Sequence, residues 1–144
     1  SMMVAFKDAQ DRISEVNSRA LWRDEFDKGI VAGIPNSQIL GSDKKRLWNT
    51  SMVLLPDYEN LRWVGKLDKL GFEVSTGSAC SVGKEQGSGI ANHYGLTAGQ
   101  GRRLVRVSSY FEHSQSDWEN LLSAFCLAYK ELRSDSVSSS VLSL

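Results

Sequence analysis

The stretch Leu104-Val105-Arg106-Val107-Ser108-Ser109-Tyr110-Phe111-Glu112-His113-Ser114-Gln115-Ser116-Asp117-Trp118-Glu119 contains two patterns of different period. Leu104 to Ser108 alternates, with Val105 and Val107 on one side of a strand and Arg106 on the other. Ser116-Asp117-Trp118-Glu119 has the spacing of a capping box, and Ser114 is an alternative cap slightly earlier. Trp118, Leu121, Leu122, Phe125, Tyr129 and Leu132 then form one apolar stripe along a helix. A half-buried strand followed by an amphipathic helix predicts a sheet with helices packed against it.

Working outward from this stretch gives the same architecture. Residues 4 to 32 favour a long helix, with Ala9, Ile13, Val16 and Ala20 at helical spacing and the stripe drifting toward Trp22, Phe26 and Ile30. Gly33-Ile34-Pro35-Asn36 ends it. Gln38 to Leu40 is a candidate edge strand. Leu47 to Leu55 reads as a strand, with Val53, Leu54 and Leu55 as its apolar end and Pro56-Asp57 as its stop. Asp57 is placed to cap a helix carrying Leu61, Val64, Leu67 and Leu70, for which Gly71 supplies the C′ position. Phe72 to Ser75 reads as a short strand. Thr76 to Gly89 is glycine-rich, and a short helix from about Ser88 to Tyr94 closes at Gly95. Beyond Arg133 the serine-rich composition predicts a disordered tail. The sum is an α+β fold, a small and mostly antiparallel sheet with helices packed on it.

The chain has 144 residues, of which 41% are hydrophobic and 24% charged, enough apolar material for one core. Seventeen basic and seventeen acidic residues cancel. That balance argues against a nucleic-acid partner, and Lys44-Lys45-Arg46 and Arg102-Arg103 read as solvated edges. No apolar run approaches the ~20 residues that span a bilayer, and the N-terminus lacks a signal-peptide pattern. Ser1 ahead of Met2-Met3 reads as an expression scar. Two cysteines, Cys80 and Cys126, are too few for a disulfide framework and point to a reducing, cytoplasmic setting. With two histidines they make no metal site.

Few residues are placed to carry chemistry. Cys80 sits where a strand meets the glycine-rich loop, where a thiol can reach a substrate and ionise near neutral pH. The alternative is a small residue tolerated in a turn. Cys126, mid-helix between Phe125 and Leu127, reads as a buried structural thiol. Arg106 points away from Val105 and Val107. If that face lines a cleft, its guanidinium suits bidentate capture of a carboxylate, and otherwise it is a surface arginine on an edge strand. His93 and His113 are read as structural or solvent-facing, since neither is tied to a nucleophile. The loop glycines match no dinucleotide fingerprint or P-loop.

Ser75-Thr76-Gly77-Ser78-Ala79-Cys80-Ser81 resembles the motif around the active cysteine of one branch of the cysteine desulfurases, in the class V aminotransferase superfamily. The likeness continues through Gly95-Leu96 and Val105-Arg106-Val107-Ser108. Upstream, Arg46-Leu47-Trp48-Asn49-Thr50 resembles the segment that opens the family's C-terminal domain. The resemblance covers residues 4 to 133. It implies the C-terminal domain of a fold-type I enzyme dependent on pyridoxal phosphate, with 4–33 as connector helix, 34–133 as α+β core and 134–144 as tail.

The resemblance further implies a reaction. Cys80 is the nucleophile that takes sulfur from L-cysteine, leaving alanine and a persulfide for a sulfur-acceptor protein, and Arg106 anchors the substrate carboxylate. The cofactor-binding residues belong to a large domain outside this sequence, so the chain holds none of them and is expected to be inactive alone. The parent is expected to be a homodimer. Trp48 in place of a proline, Tyr110 in place of a glycine, and Ser81-Val82-Gly83-Lys84 depart from the family pattern. They leave room for another class V aminotransferase or lyase. A non-catalytic domain that carries a persulfide is the remaining alternative.

Overall fold

Alternation along Leu104–Ser108 fixes the sheet, because each register step puts matching residues on matching faces. The protein is seen in a computed structural model that describes residues 2–41, 48–76 and 94–142. Within these, four strands form one sheet: β1 (Gln38–Leu40), β2 (Thr50–Leu54), β3 (Ser75–Thr76) and β4 (Leu104–Ser108). Their order is β1-β2-β4-β3, and every neighbouring pair is antiparallel. Four described helices accompany them: α1 (Met2–Gly33), α2 (Asn60–Lys69), α3 (Ala98–Gly101) and α4 (Gln115–Leu142). This is the α+β arrangement expected from the sequence.

Ser51 pairs with Val107 and Val53 with Val105, so these four side chains share one face. Against that face pack Phe26, Ile30 and Ile34 from α1 and its end, Trp63 and Leu67 from α2, and Trp118, Phe125 and Leu132 from α4. The aromatic rings meet at their edges and faces: Trp63 stacks on Tyr129 at 5.8 Å, and Phe26 lies edge-on to Phe125 at 5.7 Å. Thr50, Met52 and Leu54 face the other side with Ser108, Arg106 and Leu104. There a smaller cluster of Leu40, Leu54 and Leu104 is covered by Met52, Tyr94 and Leu96. Helices α1 and α4 pack closely because Gly29 and Gly33 leave room for Leu122 and Cys126. A Cβ at Gly33 would sit 2.9 Å from Cys126 Sγ.

The structure corrects several details of the sequence reading. The inward stripe of α1 carries charge: Arg19, Arg23 and Asp27 are buried beside Phe26 and Ile30, whereas Ile13 is 62% exposed. Asp27 accepts the Ser51 hydroxyl, so α1 is joined to β2 by a buried polar contact that hydrophobic periodicity cannot reveal. In α2 the inward residues are Asn60, Trp63 and Leu67, while Leu61 is 70% exposed. Asp57 does not cap α2. Glu59 holds the N-cap position without a side-chain bond, and the Asn60 N–H reaches the Arg102 carbonyl instead. Strand β2 is shorter than Leu47 to Leu55, and β3 begins where Phe72 to Ser75 was expected to end. The capped helix α3, closed by Thr97 and Gln100, was not anticipated.

Helix α4 starts at Gln115, with Ser114 rather than Ser116 before it. The Asp117 carboxylate accepts the Ser114 N–H at 2.7 Å, which satisfies a donor that the helix leaves open. The expectation of a disordered tail is also corrected, because α4 runs without a break through Leu142. Extending a helix that is already nucleated adds one hydrogen bond per residue fixed. Lys66 on α2 holds Asp135 at 2.7 Å, just past the point where composition turns serine-rich.

Candidate functional site

The short pairing of β3 creates the site. Ser75 lies opposite Arg106 and Thr76 opposite Val105, and no pairing precedes Ser75. Continued antiparallel register would set Glu73 against Ser108. Instead the chain diverges, and β4 keeps only its β2 partner, with the Ser109 N–H still reaching the Asn49 carbonyl at 2.8 Å. A cleft of about 600 Å³ opens between residues 71–75 and 106–110. Its floor is apolar, from Val74, Val107, Trp118 and Leu121. Its polar wall comes from Ser75, Arg106, Ser108, Tyr110 and His113, with the carboxylates of Glu73 and Asp117 at the rim.

Arg106 is half-buried and lines this cleft, on the opposite side of β4 from the buried Val105 and Val107. A half-buried planar guanidinium beside a cleft can bind a carboxylate through two parallel hydrogen bonds. His113 enters the same cleft, which its position before a helix did not signal. Its Nδ1 accepts the Tyr110 N–H at 3.0 Å and lies 3.1 Å from Ser109 Oγ. An Nδ1 that accepts a backbone N–H leaves the proton of the neutral ring on Nε2. His113 is therefore a donor at Nε2.

The turn that carries Tyr110 and His113 is held from two sides. Asn49 donates from Nδ2 to the Ser109 carbonyl at 3.0 Å. From α1, Arg19 reaches the carbonyls of Tyr110 at 3.4 Å, Phe111 at 2.6 Å and His113 at 2.7 Å. Its guanidinium also binds Glu15 and lies over the rings of Trp22, Trp48 and Phe111. Sequence reading overlooked Arg19 because a lone arginine in a charged helix looks like any solvated one.

Other sequence candidates fall differently. Cys80 and His93 lie outside the described residues, as does the short helix expected from about Ser88. Thr76, the last described residue before them, is four positions short of Cys80. Cys126 faces Gly33 at the α1–α4 contact, half-buried rather than buried as expected, and desolvation pushes its thiol up. Among the described residues, no group of His, Cys, Asp and Glu is placed to hold a metal ion. No described helix is long and apolar enough to cross a membrane.

Comparison with known proteins defines the class first. The chain has the fold of a NifS-like protein from Rickettsia africae, with a TM-score of 0.68 at 21% identity over 83% of this chain and 31% of that one. In sequence it is 31% identical to a cysteine desulfurase of Trichormus variabilis over 76% of the chain. It is 39% identical to a cysteine desulfurase of Cereibacter sphaeroides over 67% of the chain. No protein-family model matches it. The chain spans about 28% of the first of these relatives and 26% of the second, in their C-terminal part. It belongs to the cysteine desulfurases and corresponds to their C-terminal domain.

Proposed function

We propose that this chain is the small domain of a pyridoxal-phosphate-dependent cysteine desulfurase, with Cys80 as nucleophile and sulfur carrier and Arg106 as anchor for the carboxylate of L-cysteine. The observation that carries the reading is the pairing of Ser75 with Arg106. Ser75 opens the motif that contains Cys80, so the segment leading to the thiol is hydrogen-bonded to the strand that presents the guanidinium.

The described cleft does not suit the cofactor itself. No lysine lines it, so it offers no amine to which the pyridoxal aldehyde could bond. In this reading the cofactor is held by the large domain of the parent, and the chain alone is inactive. When bound there, the cofactor supplies the electron sink that carbon–sulfur cleavage needs. In this reading Arg106 grips the substrate carboxylate and so sets the direction in which the side-chain sulfur points. The Cys80 thiolate forms a sulfur–sulfur bond to that sulfur, the substrate carbon–sulfur bond breaks, and alanine is released. Cys80 is left as a persulfide for an acceptor protein. A glycine-rich loop suits a thiol that must visit both a substrate and an acceptor. A homodimeric parent and a cytoplasmic setting belong to the same reading, the latter resting on cysteine usage alone.

The test is made in the protein that joins this domain to its cofactor-binding domain. Cys80→Ser abolishes alanine formation from L-cysteine, and Arg106→Gln raises KM by about tenfold or more, the size expected for losing a charged hydrogen-bonding partner. Undiminished alanine formation by Cys80→Ser would remove the desulfurase reading.

A further inference from the structure

We propose that Arg19, which is not among the residues lining the cleft, is the positioning residue that sets the Tyr110–His113 wall of the cleft that Arg106 also lines. The argument starts from donor count. A guanidinium has five N–H groups, and all five of Arg19 are engaged. Nε and one N–H of Nη2 bind Glu15, the other N–H of Nη2 binds the Phe111 carbonyl, and Nη1 binds the carbonyls of Tyr110 and His113. The side chain is only 9% exposed, so its donors have little water to turn to in place of these carbonyls. Three aromatic rings, Trp22, Trp48 and Phe111, lie against the guanidinium at 4.9 to 5.8 Å and restrict how it can turn.

What Arg19 gathers is not a random loop. The three carbonyls come from consecutive turns of chain directly after β4, the strand that bears Arg106. With them drawn toward α1, the Tyr110 N–H points to His113 Nδ1 and the ring is held as the Nε2–H form. The consequence for chemistry rests on Arg106 being a carboxylate site. His113 then adds a neutral donor to the same cleft, and its placement depends on Arg19.

Amide hydrogen exchange and ¹⁵N NMR of the chain test this without any ligand. In Arg19→Gln, protection of the Tyr110 amide falls about tenfold or more, the loss expected for one hydrogen bond, and the His113 ring leaves its Nε2–H form. The amides of Val105 and Val107 keep their protection, which shows that the sheet is intact. Arg19→Lys retains the cation but has three donors on one atom and cannot bridge three carbonyls, so it restores protection only in part. Unchanged Tyr110 protection and ring tautomer in Arg19→Gln overturn the proposal, as does full rescue by lysine. Should Arg19→Gln unfold, Arg19→Lys alone decides. Titration with L-alanine separates this from the site reading. A wild-type response that Arg106→Gln abolishes and Arg19→Gln weakens supports both. No response in any variant sinks the carboxylate site and leaves the exchange result to decide on Arg19.

Discussion

Single side chains decide how the segment beside the cleft is turned. Gly71 follows α2 with φ of +92°, a conformation that L side chains rarely adopt, and it is the first residue of the wall that faces β4. The sequence reading placed it at C′, and the Gly71 N–H does reach back to the Asp68 carbonyl. Gly71→Ala has open space for its methyl group, so its penalty is conformational and not steric. Urea unfolding of this variant is expected to show a loss of about 1–2 kcal/mol. A neutral result would mean the turn relaxes to negative φ. Arg106 was legible at this scale because strand alternation fixes which way a side chain points. Arg19 was not, because the carbonyls it binds lie more than ninety residues away in sequence, and His113 was not, because the cleft its ring enters is assembled from distant segments.

At the scale of elements, the junction between α2 and the end of α4 rests on charge. Lys66 lies 2.7 Å from Asp135 and 3.7 Å from Glu131. The hydrogen bond to Lys66 holds the Asp135 carboxyl below its usual range, and the bond to Asp135 holds Lys66 above its own. A carboxyl lowered on folding stabilises the native state above the ordinary aspartate range and loses that contribution as pH falls through its folded value. An amine raised on folding stabilises below the ordinary lysine range and loses it as pH climbs through its folded value. Exchange protection of the α4 backbone near Asp135 is therefore expected to stay level across neutral pH and to fall at both extremes. Asp135→Asn should flatten both limbs. Since both partners are at the surface, the effect is small and weakens in salt. The serine-rich segment is helical because it continues a helix already docked on α1 and α2, whereas composition judged it in isolation.

Across the whole molecule, stability resides in one aromatic core between the sheet and α1, α2 and α4. Trp63 is fully buried among Tyr58, Phe125 and Tyr129, and among the described residues its Nε1 finds no hydrogen-bond partner. Trp63→Ala removes most of that packing and is expected to cost about 3–5 kcal/mol in denaturant unfolding. Trp63→Phe keeps much of the ring contact and deletes a buried donor that nothing satisfies, so it should be markedly milder. Equal losses for the two variants would show that the indole N–H, not packing, governs the site.

The sequence by itself determined the α+β class, strand β4 and its facing, the apolar stripe of α4, the glycine at position 71 and the family likeness. All of these follow from local period, capping chemistry or a contiguous motif. Only the tertiary structure decided that the chain joins β4 no earlier than Ser75 and so leaves a cleft beside residues 71–75, that Asp27 meets Ser51, and that Arg19 ties the turn before α4. Each of these depends on groups brought together from distant parts of the chain, and a hydrogen bond between them leaves no periodic trace in the residues that make it.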